Sequence, residues 1–146
     1  MSKTIKLKIV TPESVLLQEE IEGISIPTVE GEITVLPDHI PIIAAMKPGE
    51  LKIKKGGKDE FFAMMRGVVE VDGKTITILT DAAERADDID AKRAEEAKEK
   101  AEAIMAEERH GEEGYADAVA QLERALSRIK IARKRKARGR STLDQL

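Results

Sequence analysis

The sequence predicts two structures in series, an all-β sandwich or barrel and then an antiparallel pair of helices. The chain changes character once, near Ala86 to Ile89. Before that point, short β-branched runs alternate with Gly, Pro and Asp turns, at a spacing of about 8–12 residues that suits sandwiches and barrels. After it no proline occurs, and Ala, Glu, Lys and Arg recur at helical spacing. The expected units are residues 1–86, residues 87–140 and a flexible tail at 141–146.

In the β half, Ile5, Leu7 and Ile9 alternate with Lys6 and Lys8, the period-two pattern of a strand with one buried face. Thr11-Pro12-Glu13-Ser14 reads as a turn, because proline fixes φ and cannot donate to a ladder. Val15 to Leu17 and Ile21 to Ile26 read as strands, with Pro27 closing the second. Ile33 to Val35 follows Gly31, and Pro37, Pro41 and Pro48-Gly49 punctuate the next stretch. Leu51 and Ile53 alternate with lysines, Gly56-Gly57 turns the chain, and Phe61 to Met65 returns. Val68 to Val71 and Thr75 to Thr80 flank Asp72-Gly73, a tight-hairpin signal. With two phenylalanines and no tryptophan, Ile, Val, Leu and Met must fill the core.

The helical half opens on Asp87 and Asp88, which suit an N-cap and the positive end of a helix dipole. Ala94, Ala97, Ala101 and Ile104 form one narrow apolar seam. His110-Gly111-Glu112-Glu113-Gly114 breaks the pattern. Ala118, Leu122, Ala125, Ile129 and Ala132 form a matching seam, so the two helices should fold back on each other. Burying a methyl-sized group stabilises by only about 0.8 kcal/mol, against roughly 1–2 kcal/mol to order each residue's backbone. An alanine-rich seam therefore permits close approach but weak closure, and such a hairpin should open at modest cost.

Composition removes several function classes. The 146 residues carry a net charge of −3 and contain no cysteine, which excludes disulfides and thiolate metal sites. Two histidines, His39 and His110, stand outside any ligand-spaced cluster. No Gly-x-Ser-x-Gly elbow occurs, and Gly56-Gly57-Lys58 lacks the upstream glycine of a phosphate loop. No apolar run approaches the roughly 20 residues of a membrane-spanning helix, and no secretory signal is expected at the N-terminus. These exclusions point to a coupling or regulatory part, without enzymatic chemistry or a required cofactor.

Charge, by contrast, is segregated. Acid dominates from Asp81 to Glu113, whereas Arg124 to Arg140 contains no Asp or Glu. The run Lys130, Arg133, Lys134, Arg135, Lys136, Arg138, Arg140 suits an anionic partner, either an acidic protein surface or nucleic acid. A β-module with a nucleic-acid-binding basic helix is the alternative reading; it is disfavoured by the near absence of stacking aromatics, Tyr115 being the only tyrosine. A lectin-like sugar-binding sandwich is disfavoured on the same ground.

Three segments together carry a family resemblance. Glu30-Gly31-Glu32 with Leu36-Pro37-Asp38-His39-Ile40-Pro41 and Lys47-Pro48-Gly49 resembles the N-terminal domain of the epsilon subunit of bacterial-type rotary ATP synthases. Arg66 to Val71, Ile76 to Leu79 and Thr80-Asp81-Ala82-Ala83-Glu84 continue it. Ile89-Asp90-Ala91-Lys92-Arg93-Ala94 is similar to that family's Ile/Leu-Asp-x-x-Arg-Ala element. The likeness runs collinearly from about Lys3 to Arg138. It implies a β-sandwich of two sheets followed by a helical hairpin. It also implies a non-catalytic rotor subunit, peripheral on the cytoplasmic face of an energy-transducing membrane, that binds the gamma subunit and the c-subunit ring without entering the bilayer.

The resemblance further implies roles for particular residues. Glu32 and His39, with the Leu36-to-Ile40 loop, are expected together at the end of the sandwich that meets the c ring. Glu84, Asp90 and Arg93 match the element through which some relatives bind regulatory ATP, with Arg124 and Arg128 as the facing phosphate partners. Asp117 would oppose such binding. Arg124, Arg128, Arg133, Lys134, Arg135 and Lys136 are the residues expected to meet the alpha/beta catalytic head and restrain ATP hydrolysis.

Overall fold

A computed structural model of the chain describes residues 3–108 and 111–144, with side chains described as far as residue 138. It separates into two compact units, Met1–Arg85 and Ala86–Leu146.

The first unit is built from ten strands: β1 (Ile5–Val10), β2 (Val15–Ile21), β3 (Gly23–Thr28), β4 (Gly31–Val35), β5 (Ile42–Met46), β6 (Gly49–Lys55), β7 (Lys58–Met64), β8 (Gly67–Val71), β9 (Thr75–Thr80) and β10 (Ala83–Arg85). One layer runs β10-β7-β6-β3-β4 and the other β5-β8-β9-β1-β2. A single pair, Thr28 with Met46, links β3 to β5 and joins the layers along one side. All neighbouring strands are antiparallel except β1 and β9, which run parallel. The layers close over Leu7, Ile9, Ile21, Ile26, Val35, Leu51, Ile53, Met64, Val69, Ile76 and Ile78, an aliphatic core as the composition requires.

Several details differ from the sequence expectation. Ile21 to Ile26 is not one strand: Ile21 ends β2, where it pairs with Ile5, and β3 starts at Gly23. Pro27 does not close a strand; it lies within β3, opposite Glu32 of β4. On its other edge β3 pairs with β6 through Gly23–Ser25 and with β5 only at Thr28. A residue without an N–H therefore sits where the strand passes from one layer to the other and no ladder bond is required of it. Strands β5 and β10 were not anticipated, because Ile42–Met46 shows no polar alternation between its flanking prolines and Ala83–Arg85 is three residues long.

The second unit begins with a 3-10 turn at Ala86–Asp88, followed by α1 (Ala91–Glu107) and α2 (Glu113–Asp144). The cap of α1 is Asp90, not Asp87 or Asp88: its Oδ1 accepts the Arg93 N–H at 3.1 Å. Asp87 and Asp88 are taken up by the preceding turn, where the Ile89 N–H donates to the Ala86 carbonyl. Gly111, with φ of 91°, reverses the chain between the helices; His110 of the predicted break lies outside the described residues. From the seams, Ala94, Ala101, Ala118, Ala125 and Ile129 are buried, while Ala97, Ile104, Leu122 and Ala132 are half-buried. Ile131, off the predicted seam, is also buried. Helix α2 continues past Arg140 to Asp144, so no helix end marks the start of the expected tail, and Gln145 and Leu146 lie outside the described residues.

Candidate functional site

The sandwich presents an apolar row that no strand pattern reveals alone. Cross-strand register places Ala45 beside Val68, Val68 beside Leu79, Leu79 beside Val10, and Val10 beside Val15. The first four, Ala45, Val68, Leu79 and Val10, point to the outer face of their layer, because their neighbours Met46, Val69, Ile78 and Ile9 fill the core. A β-bulge between Ile9 and Val10 brings Val15 onto the same face. Val68, Leu79 and Val15 are 41%, 51% and 51% exposed, so the row is a solvent-facing stripe. Beside it, Val10, Pro12, Arg66, Leu79 and Asp81 line a groove of about 340 Å³. An apolar stripe with a charged rim suits protein docking.

The predicted ring-contact residues are not one patch. Glu32 stands exposed near the start of β4, next to the Val29-Glu30 turn. Strand β4 then carries the chain about 10 Å to Val35, at roughly 3.3 Å per residue, before the Leu36-to-Pro41 loop begins. His39 thus lies at the opposite end of the sandwich. There its N–H donates to the Leu36 carbonyl, its carbonyl oxygen lies over Gly73, and the Lys3 ammonium meets Asp38 at 2.8 Å. The strands, not sequence proximity, set this separation. Glu32 shares its end of the sandwich with the apolar row, through the Thr28–Met46 link.

In the helical unit the acidic and basic stretches meet. Arg133 approaches Glu95 at 3.8 Å, and Arg135 reaches Asp87, Nε to Oδ1, at 2.8 Å. Arg128 and Arg124 stand about 8 and 14 Å from Arg133 along α2, at 1.5 Å per residue, toward the turn. Asp90 and Arg93 are exposed at the first turn of α1. Asp90 already uses one oxygen to cap α1. Glu84 belongs to the other unit, on β10 opposite Ala63. Lys134 and Lys136 are exposed on α2, as is Asp117 near its start. At the turn, a hydrogen bond and repulsion from Glu112 push the Glu108 carboxyl above its usual range, with Glu107 adding to the shift.

Among the described residues, no group of three or more His, Cys, Asp or Glu side chains could hold a metal ion, and no helix is long and apolar enough to cross a membrane.

Comparison with known proteins agrees with this architecture. Residues 4–86 match the family described as ATP synthase, Delta/Epsilon chain, beta-sandwich domain, and residues 87–133 match its long alpha-helix domain. The ATP synthase epsilon chain of Herpetosiphon aurantiacus is 43% identical over 134 residues, covering 92% of this chain and 98% of the relative. That of Desulforamulus reducens is 42% identical over 132 residues, covering 90% and 99%. Among solved structures, a chain of the Euglena gracilis mitochondrial ATP synthase, in an OSCP/F1/c-ring assembly, is similar with a TM-score of 0.64 and 26% identity, covering 92% of this chain and 80% of that one. A chain of the Tetrahymena thermophila central stalk and c ring shares the fold at a TM-score of 0.58 and 15% identity, covering 90% and 98%. The nucleic-acid alternative finds no support in these likenesses. Two domain matches in the right order, and relatives of this identity over nearly the whole length, place the chain in the ATP synthase delta/epsilon chain family.

Proposed function

We propose that this chain is the epsilon subunit of a rotary ATP synthase, a non-catalytic part of the central stalk at the periphery of an energy-transducing membrane. The observation that carries this reading beyond the family is the apolar row from Ala45 to Val15. It supplies the gamma subunit with a flat, rigid docking face whose backbone needs no ordering on binding. Glu32, at the same end of the sandwich, is the group assigned to the polar loops of the c ring. His39, at the other end, is assigned no part in that contact.

The helical unit is the regulatory arm. Its seam is mostly alanine, and its basic helix neutralises Asp87 and Glu95 only while the hairpin is closed. Once open, Arg124, Arg128, Arg133, Lys134, Arg135 and Lys136 require another anionic surface, which the alpha/beta catalytic head supplies. Exposed ion pairs contribute about 0–1 kcal/mol each, so several together can bias two states a few kcal/mol apart. Regulatory ATP, if held in the closed arm, relies on Arg93 with Arg128, because Asp90 is occupied as a cap. The reading is tested by assembling the complex with a chain truncated after Ile89. Retained rotor assembly and faster ATP hydrolysis are expected; unchanged hydrolysis would make the arm a passive appendage.

A further inference from the structure

We propose that Arg135 and Asp87 form a latch that holds the helical hairpin closed and sets how often the arm is released. This rests on the regulatory reading of the arm and adds the contact that governs it. The Arg135 guanidinium makes two contacts with one residue: Nε lies 2.8 Å from the Asp87 carboxylate Oδ1, and Nη1 donates to the Asp87 backbone carbonyl at 3.1 Å. Arg133 and Glu95 add a looser pair at 3.8 Å.

Position gives the contact its weight. Gly111 and its neighbours tie one end of the hairpin covalently. The other end, where the Ala86–Asp88 turn meets α2, is joined only by side chains. Along α1 the buried seam is only Ala94 and Ala101, and α2 offers Ala118 and Ala125 before the larger Ile129 and Ile131, so small side chains hold most of its length weakly. The two-point grip is specific to arginine, since a lysine ammonium is a point charge without the planar fork. The latch also competes with the head: the guanidinium bound to Asp87 is one of the cations expected to meet the catalytic head, so it cannot serve both at once. Arg135 is 48% and Asp87 83% exposed, so solvent and salt weaken the pair, and the latch should release easily.

The chain has no native cysteine, so spin labels at Ala91→Cys and Ala137→Cys, both exposed positions, report the width of the open end in the full-length chain. Asp87→Asn should raise the population of long distances roughly threefold, as loss of an exposed ion pair predicts. Arg135→Lys should do nearly the same although the charge is kept. The reversed pair Asp87→Arg with Arg135→Asp should recover part of the closed population, which shows that the singles did not merely misfold. In the assembled complex Asp87→Asn should slow ATP hydrolysis, the opposite of truncation after Ile89. Unchanged distances in both single variants would overturn the latch. A truncation without effect, alongside altered distances, would instead overturn the regulatory reading and leave the latch standing.

Discussion

Gly67 lies so close to the carbonyl oxygen of Leu79 that a β-carbon at position 67 would overlap it. This contact draws β8 against β9 at the end of the sandwich where the apolar row crosses them, pairing Gly67 with Thr80 and Val68 with Leu79. Thr80 donates its buried hydroxyl to the Arg66 and Ala82 carbonyls and so anchors the same corner. Gly67→Ala must force the strands apart and should cost about 1–3 kcal/mol, the range for overpacking a close-packed site. Urea unfolding of the purified chain would measure it, and a small substitution on the solvent-facing side, Ala45→Ser, should cost little.

Docking of gamma can be separated from folding on the apolar row. Leu79→Lys and Val68→Lys place a charge on an already exposed face, so stability should stay within about 0.5 kcal/mol. Co-purification with gamma should be lost, because an unpaired charge would be buried in the interface. Retained assembly in both variants would move the gamma contact elsewhere.

The two ends of the sandwich should behave differently toward the c ring. A cysteine at Glu32 is expected to crosslink to the polar loop of a c subunit, and a cysteine at His39 is not. Equal yields would contradict the separation that β4 imposes.

The turn of the hairpin should respond to pH through Glu108 and Glu112. Glu108 is raised by Glu112 across the folded turn, so an opening that separates the two carboxyls would release its proton. By linkage, closure is most favourable at low pH and weakens as pH rises through the carboxylate range. Glu112→Gln removes one charge and should flatten that dependence. The label pair at positions 91 and 137 would record it as a closed population no longer falling with pH.

Weak nucleotide binding is expected. With Asp90 engaged as a cap and Arg124 some way along α2, titration calorimetry should show saturable heat only at millimolar ATP. Arg93→Ala should abolish it. Absence of heat in the unaltered chain at that concentration would remove ATP from the account.

Much of the fold was legible in the amino-acid order because local chemistry decides it. Alternation in Ile5 to Ile9, the Asp72-Gly73 turn and the alanine spacing after Ile89 each select an element with no reference to distant residues. The two matching seams likewise announced an antiparallel helical pair, across which Arg133 meets Glu95 and Arg135 meets Asp87. What remained hidden depends on pairing between segments far apart in the chain. Strand β5 exists because Ala44 and Ala45 find Val69 and Val68, and β10 because Ala83 finds Met64. In sequence, Val68, Leu79 and Val15 belong to three separate strands and nothing local relates them. Only the register of four strand pairings, shifted by a bulge at Val10, aligns them into a docking row. The separation of Glu32 from His39 has the same origin: a few residues of sequence become the length of a strand once β4 is extended. Periodicity is a local property that the chain carries in its order, whereas neighbourhood across a sheet is a property of the packed whole.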